Sequence, residues 1–106
     1  MATSKYEIQY LPLFEKDFSE IIIYIAEKLE NEKAANRLID KVEKAILERA
    51  ENPIAYEKYN SIKERKYPYY RLYVDNFTIF YVVIDNVIEI RRILYNKRNT
   101  ENFIGR

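Results

Sequence analysis

The 106-residue sequence contains no cysteine, no histidine and only one glycine. Without cysteine, neither a disulfide framework nor a thiolate metal site can form. The lack of histidine excludes Ser-His catalytic triads, imidazole zinc sites and the usual proton shuttle of neutral pH. The single glycine, Gly105, excludes a glycine-rich phosphate-binding loop. Any acid–base chemistry must therefore use Glu, Asp, Tyr, Lys or Arg, and we predict no cofactor.

A long apolar segment is also missing. No apolar run is longer than six residues, the length of Ile21–Ala26, whereas a membrane-spanning helix needs about 20. The first five residues, Met1–Lys5, include no apolar segment of the signal-peptide type. The sequence therefore predicts a cytoplasmic protein with no membrane partner.

The composition is typical of a globular protein, with 48% hydrophobic and 33% charged residues. The length suits one small domain, so we predict a single domain over residues 1–106. Residues 1–54 carry a net charge of −3, and residues 55–106 carry +4. The second half also holds eight of the eleven tyrosines. This basic, aromatic half can attract an anionic partner.

Periodicity predicts one strand and two helices in the first half. Alternation over Lys5–Tyr10 is typical of a half-buried strand. Apolar steps of three and four predict an amphipathic helix over Pro12–Leu29. A second apolar stripe, over residues 35–50, predicts another helix that Asn31 caps and Asn52-Pro53 ends. The short connection predicts an antiparallel hairpin of helices.

Three strand-like runs occupy the second half, after a predicted loop over residues 54–66. The runs are Tyr67–Val74, Phe77–Ile84 and Val87–Tyr95. Two Asp-Asn pairs between them suit tight hairpin turns, which predicts an antiparallel meander. Residues 96–106 form a polar tail with room for a short last helix near Thr100–Ile104. The predicted fold class is α+β, with the helix hairpin packed on one face of a mainly antiparallel sheet that includes the N-terminal strand.

The middle run, Phe77–Ile84, has apolar residues on both faces, as in a central strand covered on both sides. The predicted helix hairpin covers one face only. Leaving large apolar side chains in water costs roughly 1.5–3 kcal/mol each. We therefore predict that a partner chain or a target covers the other face.

Basic and aromatic side chains are predicted around the rim of that other face. They are Arg71 and Tyr73 on the first run, Arg91 and Tyr95 on the third with Ile93 between them, Lys97 and Arg98 in the tail, and Lys63, Arg65 and Lys66 in the loop. Arginine binds phosphate or carboxylate at two points, and tyrosine stacks on bases. Two interpretations are open: these side chains bind a target, or they merely solvate strand edges.

Arg92 interrupts the apolar face predicted for the third run. That face consists of Ile88, Ile90 and Leu94. Arg92 either binds a target or forms a partly buried ion pair with a helix carboxylate such as Asp17 or Glu20. The helix carboxylates suit the positive end of the helix dipole, so we predict no metal site from them.

The order of these elements resembles the RelE/ParE superfamily of type II toxins, which includes proteins described as plasmid stabilisation proteins. The resemblance spans Tyr6 to Ile104. It is carried by residues 14–21, 24–25, 34–35, 38–39, 70–72, 77–81 and 92–98. The last segment, Arg92-Ile93-Leu94-Tyr95-Asn96-Lys97-Arg98, resembles the family ending Arg-Val-Leu-His-Gly-x-Arg, with Tyr95 where histidine is common.

This resemblance implies a growth-inhibiting toxin with a cognate antitoxin as its partner. In the superfamily, the antitoxin wraps an extended, often helical segment over the toxin, and the complexes can assemble further. RelE-like members enter the ribosomal A site and cleave messenger RNA. ParE-like members poison DNA gyrase and are not nucleases.

Similarity to the RelE-like nucleases implies Arg71, Tyr95 and Arg98 as the catalytic candidates. The RelE pattern expects Lys where Tyr73 stands and a basic residue where Thr78 stands. This incomplete set favours a ParE-like gyrase poison, with a ribosome-dependent endoribonuclease as the alternative and a non-toxic binding module of the same fold as the third possibility. The candidates for target binding are Lys63, Arg65, Lys66, Arg91, Arg92 and Lys97.

Overall fold

The computed structural model describes residues 6–56, 58 and 66–96. Two helices pack on a four-stranded mixed sheet, which confirms the predicted α+β class. The elements are β1 (Glu7–Tyr10), α1 (Pro12–Ile23), α2 (Glu32–Arg49), β2 (Tyr70–Val74), β3 (Phe77–Ile84) and β4 (Val87–Tyr95). The predicted tail helix and most of the predicted loop lie outside the described residues.

The sheet has the strand order β1-β4-β3-β2. Strand β1 is parallel to β4, while β2, β3 and β4 form the predicted antiparallel meander. Asp75 and Asp85 have φ angles of 54° and 56°, the left-handed conformation that tight hairpin turns require and that aspartate tolerates. Strand β2 begins at Tyr70 rather than at Tyr67, in keeping with Pro68, which has no N–H to donate to a strand ladder.

The first helix is not a single α-helix over its predicted length. After α1 ends at Ile23, the chain continues as a π-helical segment over Tyr24–Lys28. The Leu29 N–H donates to the Tyr24 carbonyl at 3.1 Å, five residues back instead of four. A π-turn takes one more residue than an α-turn and therefore rotates the side chains that follow it. Leu29, which the helical periodicity places on the buried stripe, is consequently exposed.

Helix α2 begins as predicted. Asn31 stands at its N-cap, and its side-chain Oδ1 accepts a hydrogen bond from the Ala34 N–H at 3.0 Å. This bond satisfies one of the amide groups that the first helical turn leaves without a partner.

Replacing Asn31 with alanine is expected to lower the free energy of unfolding by about 1 kcal/mol, because the Ala34 N–H loses its acceptor. Urea denaturation followed by circular dichroism measures the change. The control is Asn36→Ala at an exposed position inside α2, where alanine is the better helix former. An equal loss in both variants would show that the cap contributes nothing.

The hydrophobic core lies between the helices and one face of the sheet. It includes Phe14, Leu38, Val42 and Ile46 from the helices and Tyr70, Leu72, Val74, Ile79, Tyr81, Ile88, Ile90 and Ile93 from the strands. The rings of Tyr70 and Tyr81, on neighbouring strands, stack with centroids 5.3 Å apart.

A β-bulge in β4 changes which of its residues reach this core. Phe80 of β3 lies opposite Arg92, whereas Tyr81 lies opposite Ile90, so Arg91 is an extra residue. The extra residue shifts the alternation and brings Ile93 into the core with 1% of its surface exposed. The predicted apolar face is therefore confirmed at Ile88 and Ile90 and wrong at Leu94, whose place in the core Ile93 takes. The prediction of Ile93 at the rim is wrong for the same reason.

The face of β3 that points away from the helices is less open than predicted. Val82 is only 1% exposed and Thr78 only 7%. Larger side chains on the neighbouring strands stand beside them: Glu89 lies opposite Val82, and Tyr69 contacts Phe80 with ring centroids 6.2 Å apart. The chain itself therefore covers the middle of this face, and a partner or target on the rest of it stays a prediction.

Candidate functional site

The sheet face away from the helices, here called the outer sheet face, carries basic and aromatic side chains. Arg71 and Tyr73 lie on it from β2, as the alternation predicts. The Arg71 guanidinium lies 5.8 Å from the centroid of the Tyr73 ring, and that of Arg91 lies 5.9 Å from the centroid of the Tyr69 ring. Cations beside aromatic rings suit the binding of anionic or flat groups.

Arg91 is partly neutralised on this face. Its Nε and Nη2 atoms donate to Glu89 Oε1 at 3.1 and 2.7 Å. The hydrogen bond to Glu89 raises the pKa of the guanidinium, and a weaker bond to Tyr69 adds to this, against the effect of burial. Arg91 therefore stays charged, but Glu89 reduces the net positive charge that the sequence suggests for this surface.

Of the two roles that the sequence allows for Arg92, the structure shows the ion pair with a helix carboxylate. Its Nε and Nη2 atoms donate to the two carboxylate oxygens of Asp17 at 2.7 and 3.0 Å. The same carboxylate accepts a bond from the Ile93 N–H at 3.2 Å. Hydrogen bonding to Asp17 raises the pKa of Arg92. Arg92 thus joins α1 to β4, and its guanidinium is hydrogen-bonded to Asp17 within the chain.

Tyr95 lies on the opposite side of the sheet from Arg71. It pairs with Phe77, and their rings meet edge to face with centroids 5.7 Å apart on the helix side. The structure therefore does not bring these two catalytic candidates together, and the prediction that Tyr95 shares a face with Arg71 is wrong. The bulge at Arg91 is the reason, because it shifts the alternation of β4.

The other predicted side chains have varied positions. Lys66 is exposed, with its ammonium 5.5 Å from the centroid of the Tyr67 ring. Lys63, Arg65, Lys97 and Arg98 lie outside the described residues.

A network around Arg49, which the sequence did not indicate, joins the end of α2 to the sheet. Arg49 Nη1 donates to the Arg71 carbonyl at 3.0 Å and to the Tyr81 hydroxyl at 2.9 Å. Its guanidinium also lies 3.6 Å from the centroid of the Tyr56 ring. The Tyr81 hydroxyl in turn donates to the Pro53 carbonyl at 2.8 Å. This network fixes the chain that leads into the basic loop.

Sequence reasoning also missed an apolar groove of about 670 Å³ between α1 and the end of β4, here called the α1–β4 groove. It is lined by Asp17, Glu20, Ile21, Tyr24, Ile25, Leu29, Asn76, Phe77, Ile93, Leu94 and Tyr95. No signal in the sequence indicates it, because the π-helical segment and the bulge that shape its walls interrupt the regular periods.

Metal-binding clusters and membrane-spanning helices were also considered for the described residues. In the part of the chain that the structure describes, no three acidic side chains are grouped to hold a metal ion. Within those same residues, no helix combines the length and apolar character that crossing a bilayer requires.

Residues 8–100 match the sequence profile of a family described as the ParE toxin of the type II toxin–antitoxin system, parDE. The chain belongs to this ParE toxin family. Membership confirms the resemblance to the RelE/ParE superfamily. It also supports a cognate antitoxin as a partner of the chain. No curated protein matches the chain.

Solved structures of three other proteins are similar to this chain over most of its length. A chain of the chromosomal ParDE system from P. aeruginosa superposes with a TM-score of 0.69 at 13% identity, covering 88% of this chain and 98% of that chain. The RelB-RelE antitoxin-toxin complex from Methanococcus jannaschii gives 0.46 at 19% identity, with 90% and 98% covered. The YoeB dimer from Staphylococcus aureus gives 0.46 at 20% identity, with 86% and 97% covered. The first of these supports the fold.

Proposed function

We propose that this ParE-family chain is a cytoplasmic toxin that inhibits growth by poisoning DNA gyrase and that a cognate antitoxin neutralises it. The match of residues 8–100 to the ParE family carries the proposal. Under it, the toxin acts by binding its target and carries out no bond cleavage of its own.

The positions of the nuclease candidates support a binding protein over a ribonuclease. RNA cleavage requires groups that activate the ribose 2′-hydroxyl, stabilise the phosphate and protonate the leaving oxygen around one phosphorus atom. Arg71 and Tyr95 lie on opposite faces of the sheet. Thr78, where RelE-like members have a basic residue, is a buried neutral side chain. Such a distribution does not suit a single catalytic centre.

The outer sheet face is the proposed target surface. Arg71 and Tyr73 present a cation and a half-exposed ring there. Lys66 precedes β2 and is exposed. Together with Lys63, Arg65 and Lys97, these groups remain the candidates for contacts with gyrase or with its bound DNA. The near-neutral net charge of +1 suits contacts to a protein–DNA complex better than tight binding to bare duplex DNA.

A supercoiling assay with purified gyrase tests this function. We expect the toxin to reduce the conversion of relaxed plasmid to supercoiled plasmid in proportion to its concentration. Addition of the product of the reading frame adjacent to the toxin gene, as the cognate antitoxin, should restore supercoiling and is the matched control. Unaffected supercoiling over a wide excess of toxin would reject the proposal.

Two further readouts separate the alternatives. Primer extension on translated messages would show ribosome-dependent cuts if the chain were a RelE-like nuclease, and Arg71→Ala and Tyr95→Phe would then abolish them. Unchanged growth on expression without antitoxin would instead indicate a non-toxic binding module.

A further inference from the structure

A second cavity lies between the two helices and is here called the helix-pair cavity. Its volume is about 370 Å³, and small-molecule sites in proteins commonly enclose about 300–1,000 Å³. Helix α1 and the end of β1 form one wall, and the facing stripe of α2 forms the other. The described residues that line it include none from β2, β3 or β4 and none that line the α1–β4 groove. The cavity is therefore separate from the outer sheet face.

Three aromatic rings run along the first wall. The ring centroids of Tyr10 and Phe14 are 5.6 Å apart, and those of Phe14 and Phe18 are also 5.6 Å apart. Phe14 is buried and Tyr10 is 41% exposed, so the rings lead from the hydrophobic core to the surface. The other wall presents the aliphatic side chains of Ile39, Val42 and Ile46. A flat ring or a branched alkyl group can pack between these walls, and the faces of the aromatic rings also attract a cation.

The charged groups that line the cavity are both carboxylates. Glu15 and Glu43 line it from opposite helices, and both residues are exposed. Among the residues that the structure describes, neither carboxylate takes part in an ion pair or a side-chain hydrogen bond, and no Lys or Arg lines the cavity. Burial and, second to it, the charge of Glu43 raise the pKa of Tyr10. The negative potential of this carboxylate therefore reaches the aromatic wall.

The walls and the charge together select one class of ligand. An anion would meet two carboxylates and no cationic group. A divalent metal ion prefers a shell of oxygen ligands to aromatic rings. A neutral apolar molecule would fill the space between the walls but leave both carboxylates without a counter-charge. An organic cation satisfies the walls and the carboxylates, and its charge stays at the solvated rim, because a fully buried charge is costly.

We propose that the helix-pair cavity binds a small organic cation, with an aromatic or branched alkyl group between the walls and an ammonium or amidinium group beside Glu15 and Glu43. A lysine side chain of another protein fits less well, since its thin alkyl chain would leave most of the space between the walls unfilled. The site does not depend on the proposed function, because none of its residues is a candidate for contacts with gyrase.

Three probes of similar size test the requirement for positive charge. Each carries one phenyl ring: phenethylamine is a cation at neutral pH, phenylacetate is an anion and phenethyl alcohol is uncharged. Titration of the full, isotope-labelled chain followed by NMR measures each affinity and locates the site from the amide shifts. We expect phenethylamine to bind at least about tenfold more tightly than phenylacetate, which corresponds to about 1.4 kcal/mol. We expect the largest shifts at Phe14, Phe18 and Val42.

Glutamine variants test the two carboxylates, because glutamine keeps the shape of the side chain and removes its charge. We expect the Glu15→Gln/Glu43→Gln double variant to bind phenethylamine at least about threefold more weakly, an effect that two exposed charge contacts can supply. The matched control is Glu48→Gln, at an exposed position of α2 outside the cavity, which should leave the affinity unchanged. Binding of phenethyl alcohol should be the same in all variants, and circular dichroism checks that they remain folded.

Four results would each overturn the proposal. They are no binding of phenethylamine up to its solubility limit, equal binding of phenethylamine and phenylacetate, equal effects of the double variant and Glu48→Gln, and amide shifts confined to the α1–β4 groove. None of these measurements uses gyrase or the antitoxin. Their failure would therefore leave the proposed function standing, and failure of the supercoiling assay would leave this site standing.

Discussion

Replacing Asp17 with alanine is expected to lower the free energy of unfolding by about 2–3 kcal/mol. The change removes a carboxylate that accepts two bonds from Arg92 and one from the Ile93 N–H. Breaking a buried ion pair costs about 3–5 kcal/mol, and hydrogen bonds to charged groups contribute about 1.5–3 kcal/mol. The Arg92 side chain is 38% exposed and Asp17 is 12% exposed. In the variant, water can therefore solvate part of the Arg92 guanidinium. The expected loss of unfolding free energy is for this reason smaller than that for a fully buried pair.

Urea denaturation of the Asp17→Ala variant measures this loss, with Glu20→Ala as the matched control on the same helix. The Glu20 pair with Lys16 is exposed on both sides, so its removal should change stability by no more than about 0.5 kcal/mol. A double-mutant cycle with Arg92→Met isolates the energy of the pair. Equal losses for Asp17→Ala and Glu20→Ala would contradict the role of Asp17 in joining α1 to β4.

The second large effect is expected for Tyr81→Phe, at about 2 kcal/mol near pH 7. The Tyr81 hydroxyl accepts a bond from Arg49 and donates one to the Pro53 carbonyl, and Tyr81 is fully buried. Phenylalanine keeps the ring but leaves both partners without that bond, which costs about 1–3 kcal/mol for each buried group that stays unsatisfied. Tyr73→Phe is the control, because the Tyr73 side chain is half exposed. Equal stability of Tyr81→Phe and the wild type would contradict the network.

The Tyr81 effect should also depend on pH. Burial raises the pKa of Tyr81 above the ordinary 10.0, although Arg49 opposes the shift. The unfolded chain therefore loses this proton before the folded chain does, so the contribution of the neutral hydroxyl is complete below pH 10 and falls as the pH rises through the folded pKa. Denaturation between pH 8 and pH 11 should show the difference between wild type and Tyr81→Phe shrinking toward the alkaline end. A difference that stays constant over this range would indicate that folding does not raise the pKa of Tyr81.

Local signals in the sequence predicted much of the fold. The end of β2, both ends of β3 and the start of β4 follow from the Asp-Asn turns, since few residues other than Asp, Asn and Gly adopt positive φ. The start of α2 follows from the hydrogen bond that an asparagine side chain makes at an N-cap. By contrast, nothing local specifies that β1 pairs in parallel with β4, because that pairing depends on where the helices place the chain.

The bulge and the π-helical segment account for the wrong predictions. Ile93 and Leu94 are adjacent apolar residues, and only the extra residue at Arg91 decides which of them enters the core. Strict alternation therefore placed Ile93 and Tyr95 on the wrong face. Strict helical periodicity likewise placed Leu29 on the buried stripe of the first helix.

The candidate surfaces were predictable to different degrees. Arg71 and Tyr73 share a face because two-residue alternation holds throughout the short, regular strand β2. The pairing of Arg92 with Asp17 was one of the two roles predicted for Arg92, because an arginine in an apolar strand is stabilised by a carboxylate on the helix that packs over it. The α1–β4 groove was not predictable, because it arises where both regular patterns are interrupted.

A plasmid cleavage assay distinguishes the proposed trapping of gyrase by this ParE-family chain from cleavage of RNA. Purified toxin is incubated with gyrase, ATP and supercoiled plasmid, and the reaction is stopped with detergent and protease. If the toxin traps gyrase on DNA, linear plasmid accumulates with increasing toxin and does not form when the antitoxin is added first. Plasmid that stays uncut at every toxin concentration, while the same preparation cleaves messages on ribosomes, would contradict it.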